Sequence, residues 1–297
     1  MKRMTFLVTT GACVIFAALA PRTPGAAAAV SYAYDASVPL DYVIERSDDT
    51  GGVRVSEVAY RSGDTLIRAA LVAPAHPAQA MPGVLFAHWL GDPATTNRSE
   101  FIEDAKWLAR RGVVSLVPDQ PWSRPQWFER VRRTQSDDAD SIAEVVALRR
   151  SLDALERVPG VDPKHMAFVG HDFGAMYGAL LAATDARCSA FVFMAPTVTF
   201  AEWFLLDTAR PPSDPMAYAT KMSAFDIPKA LATIGVPTLV QFASHDRYVP
   251  RAKADAFAAA VAPSVRDVRR YDTGHALATD AATDDRRGWL AQRLDLR

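Results

Sequence analysis

A chain of 297 residues, 49% apolar and 23% charged, has the length and balance of one large α/β domain or two small ones. Its formal net charge of −1 gives no basic field for nucleic acid. With two cysteines and no CxxC or HExxH spacing, the sequence lacks a disulfide framework and points away from a structural or catalytic metal.

The first residues read as a leader. Lys2 and Arg3 precede an apolar run from Met4 to Ala20, followed by Pro21, Pro24, Gly25 and four alanines, Ala26 to Ala29. These are the parts of a secretory signal peptide over residues 1–29, cut near Ala28 or Ala29. An uncleaved membrane anchor is the alternative. After cleavage Cys13 is lost and Cys188 is the only cysteine, so no intramolecular disulfide can form. The expected product is a periplasmic or secreted protein, without stable membrane insertion and held together by its core.

Residues 30–50 read as an extended arm. Val53 to Tyr60 and Leu66 to Val72, separated by Ser62-Gly63-Asp64, predict an antiparallel hairpin. Strands are predicted at Gly83–His88, Val113–Val117, Met166–Val169, Cys188–Met194, Pro237–Phe242 and Val265–Tyr271, the first two of them buried. Helices are predicted at Glu100–Arg111, Asp138–Val158, Phe173–Ala183, Lys253–Val261 and Thr283–Leu294. Residues 196–235 carry prolines and large apolar side chains, as short helices over a site would. Strands alternating with helices imply a mostly parallel sheet covered on both faces, in a single domain over 30–297. Right-handed crossovers place the strand C-terminal ends along one edge, where ligands bind.

Four loops on that edge carry the chemistry. The first is Gly170-His171-Asp172-Phe173-Gly174, a strand-to-helix turn with glycines two places either side of Asp172. That is the spacing of a nucleophile elbow, with Asp where Ser is usual. The second, Ala243 to Pro250, holds Asp246; the third, Asp272 to Ala276, holds His275. The order nucleophile, acid, histidine assigns Asp172 as nucleophile, His275 as base and Asp246 as its orienting acid. Asp207 and Asp226 are alternative acids. The fourth loop, His88-Trp89-Leu90-Gly91-Asp92, is placed to give one backbone N–H of an oxyanion hole, from Trp89 or Leu90. Phe173 N–H would be the other.

Together these motifs resemble the α/β-hydrolase superfamily from about Val53 to the C-terminus. Within it, the His88–Gly91 loop, the short 196–235 segment and the Ser244–Pro250 loop look most like the dienelactone-hydrolase-like group. That group carries Cys or Ser at the elbow; the Asp elbow is similar to those of epoxide hydrolases and haloalkane dehalogenases. The resemblance implies a cofactor-free hydrolase of the α/β-hydrolase fold acting on a small molecule, and fixes no oligomeric state.

A carboxylate suits displacement at a saturated carbon, because attack on an ordinary ester would give a less stable anhydride. Hydrolysis of an epoxide- or alkyl-halide-like substrate through a covalent Asp172 ester is therefore expected. The alternatives are an esterase or lactonase of the dienelactone-hydrolase type, and a silent binding protein. His88, Trp122, Trp203 and Tyr218 are expected to line the pocket, and His88 also to shape the oxyanion loop through hydrogen bonds. Tyr218 is the one tyrosine in the 196–235 segment; Tyr177 and Tyr248 lie near the motifs. Phe173 has no ring N–H for a halide, so Trp89, Trp122, Trp127 and Trp203 are the possible stand-ins. Asp119 and Arg124 sit at a strand end within reach of a substrate. His171 and His245 read as structural neighbours, and Cys188 as a buried strand residue.

Overall fold

The computed structural model describes residues 30–91, 97–123, 127, 134–206 and 211–296. Residues 1–29, Asp92, Arg124 and Asp207 lie outside the described residues. Among those described, no helix is long and apolar enough to cross a membrane.

Three antiparallel strands come first: β1 (Val43–Thr50), β2 (Val53–Ser62) and β3 (Thr65–Pro74). β1 corrects the expectation of an extended arm. It escapes a periodicity test because every residue in Val43–Thr50 is exposed, as in a polar edge strand. The alternating units follow: β4 (Met81–Ala87), α1 (Ser99–Ala109), β5 (Val114–Pro118), α2 (Thr134–Glu156), β6 (Val161–His171), α3 (Phe173–Thr184) and β7 (Cys188–Met194). Three short helices occupy the 196–235 segment: α4 (Phe200–Leu205), α5 (Pro215–Met222) and α6 (Ile227–Leu231). Asp214 and Asp226 cap α5 and α6, accepting from Ala217 N (2.9 Å) and Lys229 N (3.0 Å). β8 (Thr238–Ala243), α7 (Arg251–Ala260), β9 (Arg266–Tyr271) and α8 (Asp280–Arg293) complete the chain.

The sheet order is β1-β2-β3-β5-β4-β6-β7-β8-β9, parallel from β5 to β9. The inner strands β4, β5, β7 and β8 are buried almost throughout, since helices cover both faces. One core lies under α2, α3 and α7, with Leu148, Leu152, Met176, Leu181 and Phe257. The other lies under α1 and α8, with Phe101, Leu108, Trp289 and Leu290. Each such side chain, fully buried, contributes roughly 1.5–3 kcal/mol. α3 runs through the interior. It is apolar all round, and Phe173 to Leu181 are all buried, so it anchors the elbow rigidly.

Candidate active site

The elbow begins where β6 ends at His171. Asp172 adopts φ 56°, ψ −118°, a conformation rare for a side-chain-bearing residue. Such a residue costs of order 1–3 kcal/mol and persists only where its surroundings hold it. Here Asp172 N–H donates to the Met194 carbonyl (2.9 Å) on neighbouring β7, and its own carbonyl accepts Met176 N–H (3.0 Å). The flanking glycines are sterically required. A Cβ on Gly170 would stand 2.5 Å from the Gly174 carbonyl oxygen, and one on Gly174 would collide with the Ala87 carbonyl at the end of β4.

The Asp172 carboxylate is buried. Its Oδ2 accepts the Leu90 N–H at 3.0 Å, while Oδ1 has no hydrogen-bond partner. Burial pushes its pKa up to about 6 from 3.8; the charge of His275, the Leu90 N–H and the indole of Trp203 oppose the rise, and Glu100 adds to it. The Trp203 N–H thus favours the ionised form without making a hydrogen bond to Oδ1. As the first residue of α3, Phe173 has an N–H with no intrahelical acceptor.

His275 and Asp246 meet from the loops after β9 and β8. Nδ1 of His275 lies 2.8 Å from Oδ2 of Asp246, and Asp246 Oδ1 accepts the N–H groups of Tyr248 (2.8 Å) and Val249 (2.9 Å). Burial works against the Asp246 carboxylate, but the His275 bond and charge and these two N–H groups outweigh it and hold its pKa below the ordinary value. The two loops are laced together by His245 N–H to the Thr273 carbonyl (3.0 Å). Asp226, capping α6, is committed elsewhere. No direct hydrogen bond joins His275 to Asp172. Rings surround His275: Tyr248 at 5.1 Å, His171 at 5.3 Å, Trp203 at 5.8 Å and Trp89 at 6.0 Å between centroids.

Between Trp89 and Leu90, the geometry selects Leu90. The Trp89 N–H is taken by Glu100 Oε2 (2.9 Å), and its indole lies parallel to the His171 ring. Three of the four expected pocket residues face inward instead. His88 holds its own loop through the Trp89 carbonyl (2.8 Å), Gln120 N–H (3.2 Å) and the Ser123 hydroxyl (3.0 Å), and burial pushes its pKa down to about 4. Trp122 donates to the His88 carbonyl (3.2 Å) and stacks on Phe173 and Tyr177 behind the elbow. Tyr218 is fully buried and donates to Asp137 on α2 (2.9 Å). Trp203 alone of the four reaches the Asp172 carboxylate, packing edge-on to Phe173 and Tyr248.

Of the remaining tyrosines, Tyr177 shares a hydrogen bond with Ser141 (3.2 Å), and Tyr248 sits edge-on over His275 with Arg247 on its hydroxyl. Trp127 packs against Trp122, Phe173 and Phe204. Asp119 pairs with Arg98 (2.7 Å), and the buried Cys188 thiol is pushed up by burial. Glu100 was not singled out by sequence, and it touches both the Trp89 loop and His171. An acid in the first turn of a helix looks like ordinary dipole compensation, so its pattern carries no signal of a site role. Among the described residues no group of three or more His, Cys, Asp or Glu is arranged to hold a metal ion. A cavity of about 840 Å³ beside Tyr34, Trp127, Ile142 and Arg150 includes none of Asp172, Asp246 and His275 in its lining.

No protein-family model matches the sequence. A polyketide transferase, ATR5, of Stachybotrys chlorohalonatus is 29% identical over 102 residues, 32% of this chain and 31% of that protein. The chain therefore matches about a third of that curated relative's length. Solved structures match over far more. An acetyl xylan esterase from Paenibacillus sp. R4 superimposes with a TM-score of 0.70 at 16% identity, covering 86% of this chain and 89% of the other. A cold-adapted esterase from an Arctic intertidal metagenomic library gives 0.64 at 16% identity, over 84% and 98%. A putative dienelactone hydrolase from Klebsiella pneumoniae gives 0.60 at 14% identity, over 82% and 98%. With its nine-stranded sheet and the strand-to-helix elbow after β6, the chain has the α/β-hydrolase fold shared by these esterases and this dienelactone hydrolase.

Proposed function

We propose that this chain is an exported hydrolase that attacks a small electrophilic carbon, epoxide- or alkyl-halide-like, with the carboxylate of Asp172. One observation carries the reading: the two oxygens of Asp172 are in different situations. Oδ2 is held by Leu90 N–H, and Oδ1 is buried without a partner. A carboxylate that is to form an ester with its substrate needs one oxygen free for attack. It needs the other in a donor site, where negative charge returns when the ester is hydrolysed.

Oδ1 attacks the carbon, and the bond to the leaving group breaks with its electron pair: a halide departs as the anion, while an epoxide oxygen stays on the alkyl group and takes a proton from water. The product is an alkyl ester of Asp172. His275, oriented by Asp246, then takes a proton from water as that water attacks Cγ of Asp172. The tetrahedral oxyanion forms on Oδ2, facing Leu90 N–H and Phe173 N–H. Collapse expels the alcohol, which takes the proton from His275; Asp172 is left as the acid with one water-derived oxygen and loses its proton to solvent to regenerate the carboxylate. The Trp203 indole N–H, which favours the charge on Asp172, is the donor proposed for a departing anion. Export rests on the leader-like composition of residues 1–29.

A second reading, a carboxylic-ester hydrolase, is favoured by the names of the fold neighbours, which are esterases. Single turnover in oxygen-18 water, with enzyme in excess, separates the two. Light oxygen in the product alcohol of an epoxide or alkyl halide, with heavy oxygen left in the Asp172 peptide, is the expected result. Heavy oxygen in the first-turnover alcohol excludes the alkyl-enzyme path. Turnover of acetyl esters alone, with no label entering Asp172, favours the second reading.

A further inference from the structure

Beneath Asp172 and His275 lies an ionisable pair that the reaction above does not use. Glu100, in the first turn of α1, has a mostly buried side chain, and that of His171 is fully buried. Glu100 Oε2 accepts the Trp89 N–H at 2.9 Å, and Oε1 lies 2.5 Å from Nδ1 of His171. On the far side of the ring, Nε2 lies 3.0 Å from the main-chain carbonyl of His275. One carboxylate thus connects the loop after β4, the end of β6 and the loop after β9.

The hydrogen count follows from the partners. A main-chain carbonyl only accepts, so Nε2 carries a hydrogen. Between Oε1 and Nδ1 there must be a second, because two bare lone pairs at 2.5 Å repel. Neutral imidazole facing an ionised carboxylate supplies one hydrogen where two are needed. Turning the ring over does not help, since ring carbons would then face both acceptors. The pair therefore holds one extra proton, as imidazolium and carboxylate or as a proton shared across the short contact. The Trp89 indole lies over the His171 ring, 2° from parallel at 5.2 Å, covering the cation with a π face.

We infer that Glu100 and His171 form a buried, proton-holding dyad that positions two parts of the site at once: the Leu90 N–H, through the neighbouring Trp89 N–H, and the main chain of His275. Neither residue touches the reacting atoms, so both are positioning residues. The inference that they serve turnover rests on the proposed role of Asp172 and His275; the proton count does not. Displacement of a base by about 1 Å is enough to cost on the order of a hundredfold in rate.

Substitution separates charge from position. In Glu100→Gln the amide oxygen can accept Trp89 N–H and the amide nitrogen can donate to Nδ1. His171 then becomes neutral, with its hydrogen on Nε2, and all three bonds survive. In Glu100→Ala two of them are lost. With histidines labelled in nitrogen-15, both nitrogens of His171 should read as protonated or, at Nδ1, as sharing a proton with Glu100 in the unmodified protein. In Glu100→Gln only one should. An Nε2 without a hydrogen, or an Nδ1 that neither carries a proton nor shares one with Oε1 of Glu100, overturns the dyad, whether or not any substrate is turned over. For positioning, Glu100→Ala should lower kcat about tenfold to a hundredfold with KM little changed, and Glu100→Gln should restore it to within about threefold. Equal kcat in Glu100→Ala and the unmodified protein overturns the positioning role. If turnover is not found, the Nδ1–H signal of His275, bonded to Asp246, is the readout. It should move in Glu100→Ala and stay in Glu100→Gln, and a signal unmoved in Glu100→Ala overturns the role. If Glu100→Ala does not fold, the same comparison is made with His171→Phe, which removes the bond to the His275 carbonyl.

Discussion

Leu90 donates its main-chain N–H to Oδ2 of Asp172 at 3.0 Å, so the donor expected to stabilise an oxyanion already rests on the enzyme's own carboxylate. That relationship separates this elbow from one bearing serine, whose hydroxyl lies outside the hole and attacks an atom bound within it.

Asp172 has a folded pKa of about 6, above its ordinary 3.8. Its contribution to stability is fully present below about pH 4 and is lost as pH rises through about 6. At pH 8 the buried charge costs the fold on the order of 3 kcal/mol. Asp172→Asn should therefore be more stable than the unmodified protein at pH 8, by up to that amount, and about equal at pH 4. Urea unfolding at the two pH values tests this; a gain of the same size at both would refute it. The same variant should lose turnover by at least about 10³-fold.

Activity should fall on the acid side with a midpoint near pH 6, because attack requires the ionised carboxylate. Trp203→Phe keeps the ring and deletes the N–H that favours that charge. The acid limb of kcat/KM should then move to higher pH. An unmoved limb would remove Trp203 from contact with the carboxylate.

His275→Ala should leave the first step and block the second. With an alkyl halide probe, about one equivalent of halide per site should be released, and mass spectrometry should find the alkyl group on the peptide containing Asp172. Asp246→Asn should show slower ester hydrolysis, by about 10²–10⁴-fold, because the tautomer of His275 is no longer fixed. Steady halide release by His275→Ala would end its assignment as the base.

Gly174→Ala should destabilise by about 3 kcal/mol or more, since the added methyl meets the main chain of β4 rather than a movable side chain. Gly288→Ala, in α8 with open space around the added carbon, should instead stabilise by about 0.5–1 kcal/mol. Thermal melts of the two variants give the comparison.

Much of this architecture is local information. The strands from β4 to β8 each contain a short apolar run, and α3 begins at Phe173 as its flanking glycines require. That the loops of Asp172, Asp246 and His275 lie along one edge was readable because each follows a strand, and parallel strands deliver their C-terminal ends to one edge. β1 was missed because an edge strand exposed on both faces has no alternation to read. Tyr218 and Trp122 read as pocket residues because large aromatics in such segments look alike from sequence; their polar tips in fact bond to Asp137 and the His88 carbonyl.

By itself the sequence determined the parallel strands and their helices, the elbow and the order of its partner loops. It did so because hydrophobic period and glycine spacing are constraints within one element. Tertiary structure alone decided that Leu90 and not Trp89 faces Asp172, that its Oδ1 is unpartnered, and that Glu100 meets His171 and His171 meets the main chain of His275. Those are hydrogen bonds between residues 71 to 104 positions apart. Which donor meets which acceptor there depends on how separate elements pack, and no local pattern encodes it.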